Sequence, residues 1–389
     1  MFRLAIIPGK LQSENCSTQP VFATRAILNA FLKLFVLASL TLAANSARAS
    51  DPRGNQFYSY TDFSAFQKSG EEKPGHAVLL SPEITARAPW DELILSWDAR
   101  LSESSSLKLE ARVLYPDHIT KYYTMALWSG NPAKNPRESV PHQNDSDGNV
   151  STDTLVLNHP ADRFQLKLTL EGDEDPSKAL TFLGVCLTDT SVSPPTNSPN
   201  THAWGKLIPV PEKSQMAYPN GKVLCSPTTV SMLMTYWALQ LKRSDLDREV
   251  PEVATQVYDA KWDGTGNWAF NTAYAGSLPG IRAYVTRMSD ISELEAWIAA
   301  DLPVGVSLCY NKLRGKAGPP SGHLVVLVGF TKTGDVVIND PGTSRNVRKT
   351  FPRRQFIEAW RHSKNATYLI YPEQTLVPDD PFGHWYSPK

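Results

Sequence analysis

Cys225 heads the stretch "CSPTTVSMLMTYW" (225–237) in a chain of 389 residues. Val230, Leu233, Met234, Trp237 and Leu241 recur at spacings of three and four, which predicts a helix with one core-facing stripe. Ser226 is the expected N-cap, and Pro227 falls in the first turn, where a missing N–H costs nothing. A thiol at a helix start meets unpaired N–H groups and the positive end of the dipole, and both favour the reactive thiolate. A thiolate that attacks a carbonyl carbon needs three helpers: an imidazole to exchange protons, a group to orient that imidazole, and donors for the oxyanion.

Each helper has a candidate. Of the seven histidines after His76, His323 alone is read as opening a strand, "GHLVVLVGF" (322–330), behind a Gly- and Pro-rich loop. "TKTGD" (331–335) signals a hairpin into "VVINDP" (336–341), which returns Asp340 toward the end of the sheet where His323 begins. Asp340 is expected to hold Nδ1 of His323 and leave Nε2 for the thiol. Gln215 lies ten residues before Cys225, on a segment that must fold back beside the helix mouth. Its amide and the backbone N–H of Cys225 are the candidate oxyanion donors. Asn267, Trp268 and Asn271 are weaker candidates for lining a substrate cleft, with packing under a Gly-rich loop as the competing reading. The basic series Arg345, Arg348, Lys349, Arg353, Arg354 and Arg361 reads as a solvated face. "NDSDG" (144–148) lacks the downstream Glu of a calcium loop and reads as a turn.

The elements that position these residues belong to the second of two domains. Residues 204–389 mix the Cys225 helix and a second helix at 291–300 with strands such as "PVGVSL", "HLVVLVGF" and "VVIND", an α+β pattern. Residues 191–203 are rich in Pro, Ser and Asn with almost nothing apolar, and read as an extended linker. In residues 51–190 the apolar positions alternate: Leu93, Leu95, Trp97; Leu107, Leu109, Ala111, Val113; Phe164, Leu166, Leu168, Leu170. Period two with intervening turn-rich pieces predicts an all-β sandwich. Residues 1–49 carry Lys10, Arg25 and Lys33, an apolar run at 34–44 and Ala47-Arg48-Ala49, the form of a secretory signal cleaved near Ala49. That run is about eleven residues against the roughly 20 of a membrane span. The charged part ahead of it is long, so either translation starts downstream of Met1 or the leader is atypical.

These features place the mature chain outside the membrane, secreted or periplasmic. Lys plus Arg equals Asp plus Glu at 39 each, which leaves no overall field to draw in nucleic acid. Cleavage would remove Cys16 and leave Cys186, Cys225 and Cys309, an odd number, so at least one thiol stays free. Cys186 and Cys309 sit in strand-like apolar runs and read as small buried hydrophobes. No P-loop, dinucleotide fingerprint or zinc spacing is present, and the chemistry sketched above needs no metal or cofactor.

The order Gln, Cys, His, Asp, with "IPVPEKSQM", "CSPTTVSMLMTYW", "GTGNWAFNTAYAG", "GHLVVLVGF" and "VVINDP", resembles the papain-like cysteine peptidases. Within them it resembles the bacteriocin-processing, double-glycine-leader family, family thirty-nine. The resemblance implies a papain-like α+β fold and hydrolysis of peptide or related amide bonds through a thioester. It implies Cys225, His323 and Asp340 as a triad and Gln215 in the oxyanion hole. Ser226 departs from the glycine more usual after the nucleophile. The β domain looks like the companion of exported bacterial members. Peptide or protein substrates are the implied partners, with cell-wall or surface material open for the β domain. Two alternatives stay open: acyl or peptidyl transfer by the same triad, and an inactive scaffold that binds peptide or cell-wall material.

Overall fold

The computed structural model describes residues 54–73, 75–172, 175–193, 197–380 and 384–386. The leader expected at 1–49 lies outside the described residues. Strands β1 (Asn55–Tyr60), β2 (Gln67–Lys73), β3 (His76–Leu80), β4 (Ile84–Ala99), β5 (Ser106–Val113), β6 (Tyr123–Ser129), β7 (Gly148–Ser151), β8 (Thr154–Glu171) and β9 (Leu180–Thr188) fill the first half. One helical turn, α1 (Pro176–Ala179), precedes β9. Alternation is visible in β8, where Phe164, Leu166, Leu168 and Leu170 are buried and Gln165, Lys167 and Thr169 are half-buried. These strands are linked by hydrogen bonds into one sheet. The reason is the length of β8: its first half pairs with β4, and its second half pairs with β5 on one edge and β3 on the other.

The second half is α+β. It holds α2 (Cys225–Leu241), α3 (Val250–Gln256), α4 (Trp268–Gly276), β10 (Ile281–Arg287), α5 (Ile291–Ala299), β11 (Val304–Cys309) and α6 (Tyr310–Leu313). Then follow β12 (Gly322–Phe330), β13 (Val336–Asn339), β14 (Arg348–Phe351), α7 (Arg353–Trp360), β15 (Ala366–Pro372) and β16 (Trp385–Tyr386). Six strands form an antiparallel sheet in the order β10-β15-β11-β12-β13-β14. Against it packs α2, also touched by α3 and α4. Every residue of α2 from Ser226 to Ala238 is buried, so the helix is enclosed on all sides and not only along the expected stripe; Leu241, at its end, is exposed.

The two halves share one core. Alternation in β4 predicts a solvated polar face, yet Glu92, Ser96 and Asp98 are buried. Their partners lie on β10, the edge strand of the second sheet. Arg282 meets Asp98 at 2.8 Å, the N–H of Val285 donates to Ser96 Oγ at 2.9 Å, and Arg287 meets Glu92 at 2.6 Å. A strand edge that would otherwise stand open is thereby covered. Phe270 of α4 packs edge-on to Trp97 and Trp128, and Tyr284 of β10 packs on Phe57 with centroids 4.7 Å apart. Asp153, in the turn between β7 and β8, accepts from the N–H of Trp268 at 2.6 Å and so caps α4 from the other half. From the C-terminal end, β16 pairs with β1, and His384 Nε2 meets Ser289 Oγ at 2.8 Å.

This shared core predicts the fate of a cut chain. Limited proteolysis within 191–203 should give two fragments that stay together on size-exclusion chromatography without denaturant, because buried ion pairs and ring contacts cross between them. Fragments that elute separately and folded would contradict it.

Candidate active site

Helix α2 begins at Cys225 itself. Leu224 occupies the N-cap position without a side-chain cap bond, and the first helical bond runs from Thr228 N–H to Leu224 C=O at 3.0 Å. Ser226 is therefore not the N-cap expected from the sequence. Its hydroxyl lies 2.9 Å from the Tyr368 hydroxyl on β15, inside the core. Cys225 is half-buried at the mouth of α2, where the first N–H groups have no partner in a preceding turn.

The strand register brings the imidazole to this mouth. In the β11–β12 pair Leu308 lies opposite His323 and Cys309 opposite Gly322. In the β12–β13 pair Asn339 lies opposite Val326, so Asp340 follows the last paired residue. His323 Nε2 and Asp340 Oδ1 are 2.8 Å apart, and both residues are buried. The expected orientation of the ring is thus reversed. Asp340 lies two strand positions along from His323 and is reached by the far nitrogen, which leaves Nδ1 for the thiol. Three further donors face the carboxylate: Gly342 N–H at 2.9 Å, the Tyr310 hydroxyl at 2.9 Å, and Lys349 Nζ at 3.7 Å.

Electrostatics follow from this geometry. Burial pushes the Cys225 thiol up, but its hydrogen bond to His323, the imidazolium charge and the N–H groups of Leu324 and Ser226 outweigh burial and hold it below the ordinary thiol value. Burial presses His323 down, yet its bonds to Asp340 and Cys225 raise it to about 9. Burial likewise raises Asp340, and the bonds from His323, Tyr310 and Gly342 hold it below the usual carboxylate range. The arrangement stabilises thiolate and imidazolium together.

Gln215 reaches the same place along another path. The segment from Trp204 runs beside the sheet, with Ile208 N–H bonded to Val328 C=O and Asn339 Nδ2 bonded to Val210 C=O. Gln215 N–H then bonds Pro341 C=O at 3.0 Å, next to Asp340. Two short 3-10 turns, Gln215–Ala217 and Gly221–Val223, fold the chain back to Leu224. Gly221 is required there, since a Cβ would sit 2.2 Å from the carbonyl oxygen of Gln215. The buried side chain of Gln215 donates from Nε2 to Gly221 C=O at 2.6 Å, while its Oε1 has no partner among the described residues.

Two family models match the chain. Residues 207–368 match the family described as Peptidase_C39 like family, and residues 43–186 match the Peptidase C39 N-terminal domain. The chain belongs to the C39 peptidase family. In this C39 peptidase, residues 187–206 fall between the two matched spans. No curated protein matches the chain. Among solved structures, vicilin from Corylus avellana (hazelnut) is 8% identical with a TM-score of 0.10, over 80% of this chain and 84% of that one; a likeness this faint bears no argument.

The weaker candidates have other work. Asn267 is buried, caps α4 through Phe270 N–H and donates to Asp259 Oδ2 at 2.9 Å. Asn271 is buried, with Nδ2 bonded to the carbonyls of Thr265 and Asn267. Trp268 starts α4 beneath Asp153. These contacts serve the loop and the helix cap. Thr265 does reach the site's surroundings, donating to Val223 C=O at 2.9 Å.

Tyr310 is the residue that sequence reading passed over. Its ring lies on His323 with centroids 4.0 Å apart, and its hydroxyl holds Asp340. The signal was available in principle: Tyr310 directly follows the strand that pairs with His323.

Reactivity toward iodoacetamide checks the thiol–imidazole pair. Alkylation at Cys225 should develop with pH below the ordinary thiol range, and His323→Ala should move it upward, because burial is then opposed only by the N–H groups of Leu324 and Ser226. Mass mapping must place the label on Cys225; Cys186 and Cys309 are buried. A profile unchanged by His323→Ala would contradict the pairing.

Proposed function

We propose that this C39 peptidase is an exported enzyme that hydrolyses peptide or related amide bonds through a Cys225 thioester. The observation that carries the reading is the buried line from Asp340 through His323 to a thiol held below its ordinary value. In this mechanism the thiolate attacks the scissile carbonyl, forming the C–S bond. The tetrahedral oxyanion takes hydrogen bonds from the first N–H groups of α2 and from the second N–H of the Gln215 amide. His323 gives the Nδ1 proton to the leaving amine as the C–N bond breaks, then takes a proton from water as it attacks the thioester, and the C–S bond breaks to release the acid and restore the thiolate–imidazolium pair. Asp340 holds the ring by Nε2–H throughout and stabilises its charge. The leader at 1–49 supports export, with cleavage near Ala49, and peptide or protein chains are the substrates that the family implies.

Peptide-library profiling of the mature chain should show cleavage that Cys225→Ala abolishes, with free acid ends as products. Products capped by an added amine would indicate transfer instead, and no difference from Cys225→Ala would refute the reading.

Asp340 variants test its role as the orienter of His323. Asp340→Asn keeps an oxygen for Nε2–H and should lose about tenfold in kcat/KM, while Asp340→Ala loses the anchor and about a hundredfold or more. An Ala variant as active as wild type would remove Asp340 from the mechanism. Tyr310→Phe deletes one bond to a charged carboxylate, worth about 1.5 kcal/mol, and should lower kcat about tenfold with KM nearly unchanged. Unaltered kcat would show the hydroxyl to be idle.

A further inference from the structure

Beside the catalytic pair lies an open groove of about 800 Å3. Tyr310 and Gly342 form its inner end, and Arg314, Lys316, Arg348 and Lys349 line it with no Asp or Glu among the described residues. The inner end touches the imidazole. The Tyr310 ring lies on His323, and a Cβ on Gly342 would sit 3.0 Å from His323 Cε1 and 2.9 Å from the Tyr310 hydroxyl, so the groove lining meets the ring at its Cε1 edge. Two of the four cations are partly answered: Lys349 stands 3.7 Å from Asp340, and Arg348 Nε stands 3.8 Å from Glu212. Arg314 and Lys316 are exposed, and neither forms an ion pair among the described residues; Arg314 lies over the Tyr310 ring at 4.6 Å. The groove therefore carries net positive charge within a chain whose overall charge is zero.

The reaction decides which part of a substrate enters it. His323 must reach the leaving nitrogen to protonate it, so the amine half of the substrate departs on the imidazole side. The acyl half stays with Cys225 and Gln215. An extended chain advances about 3.3 Å per residue, so a substrate whose amine half crosses the Cε1 edge of the ring reaches the groove within the first few residues beyond the scissile bond. We infer that the groove selects substrates with acidic residues immediately C-terminal to the scissile bond, held by Arg314, Lys316 and the two flanking cations. This rests on the peptidase reading above for its direction along the substrate. Charge attraction of this kind acts on partly exposed groups and weakens as salt shortens the Debye length to about 3 Å at 1 M.

The test uses twin quenched fluorogenic peptides that are identical up to a scissile bond found by library profiling, with Asp/Glu or Lys/Arg at the next three positions. The acidic twin should show at least tenfold higher kcat/KM at low salt, and Arg314→Glu/Lys316→Glu should reverse the preference. Lys316→Glu alone, a change at an exposed position, should at least halve it and guards against misfolding of the double variant. Equal kcat/KM for the twins, or a preference untouched by both variants, overturns the groove while leaving the peptidase reading intact. The same labelled twins are also titrated against Cys225→Ala by fluorescence anisotropy, with and without the charge reversals. Tighter binding of the acidic twin that reverses with charge upholds the groove even if no peptide is cleaved, in which case the peptidase reading fails alone. Equal binding in that setting overturns the groove as well.

Discussion

Asp340 and His323 form the contact on which the site depends. A buried imidazolium is unfavourable by itself, and a buried thiolate is too; each becomes stable because a carboxylate held by Tyr310, Gly342 and Lys349 faces the far side of the ring. The carboxylate in turn stays ionised because its donors come from three separate places: the start of α6, the loop after β13, and β14. Loss of any one loosens a chain of dependencies that ends at the sulfur. Gln215 joins the same chain through Pro341, which ties the candidate oxyanion donor to the loop that carries the orienting carboxylate.

Elements far from the sulfur keep this geometry in register. Antiparallel pairing of β11, β12 and β13 fixes Tyr310, His323 and Asp340 relative to one another, since a one-residue slip would turn each to the opposite face. Helix α2 is enclosed by the sheet and by α3 and α4, and α4 is itself capped by Asp153 and packed on Trp97 and Trp128 of the first half. The β-rich half thus supports the helix that bears Cys225 at one remove. Its polar face on β4 closes the edge of the second sheet, a stabilising role independent of any ligand it binds.

Much of the site was legible because it rests on local patterns. The apolar period placed α2, the hairpin signal between β12 and β13 returned Asp340 to His323, and the buried positions of β8 followed its alternation. What escaped depends on distant partners. Ser226 looks like a cap until Tyr368 on β15 claims its hydroxyl. Glu92, Ser96 and Asp98 look solvated until β10 supplies cations and an N–H. Tyr310 has no motif of its own and gains its place from strand register, and the choice of Nε2 over Nδ1 depends on how far along the sheet Asp340 falls. The strands of the first half are joined into one hydrogen-bonded sheet through the length of β8, which no local pattern reports.

The most direct test of the account is the protonation state of His323, read by 15N and 1H NMR of histidine-labelled protein across pH, in wild type and in Cys225→Ala. The account predicts an imidazolium that persists through neutral pH and titrates near about 9, an Nε2–H bonded to Asp340, and a lower titration point once the sulfur is removed. A ring that titrates near the ordinary histidine value of about 6.5 in both proteins would contradict it.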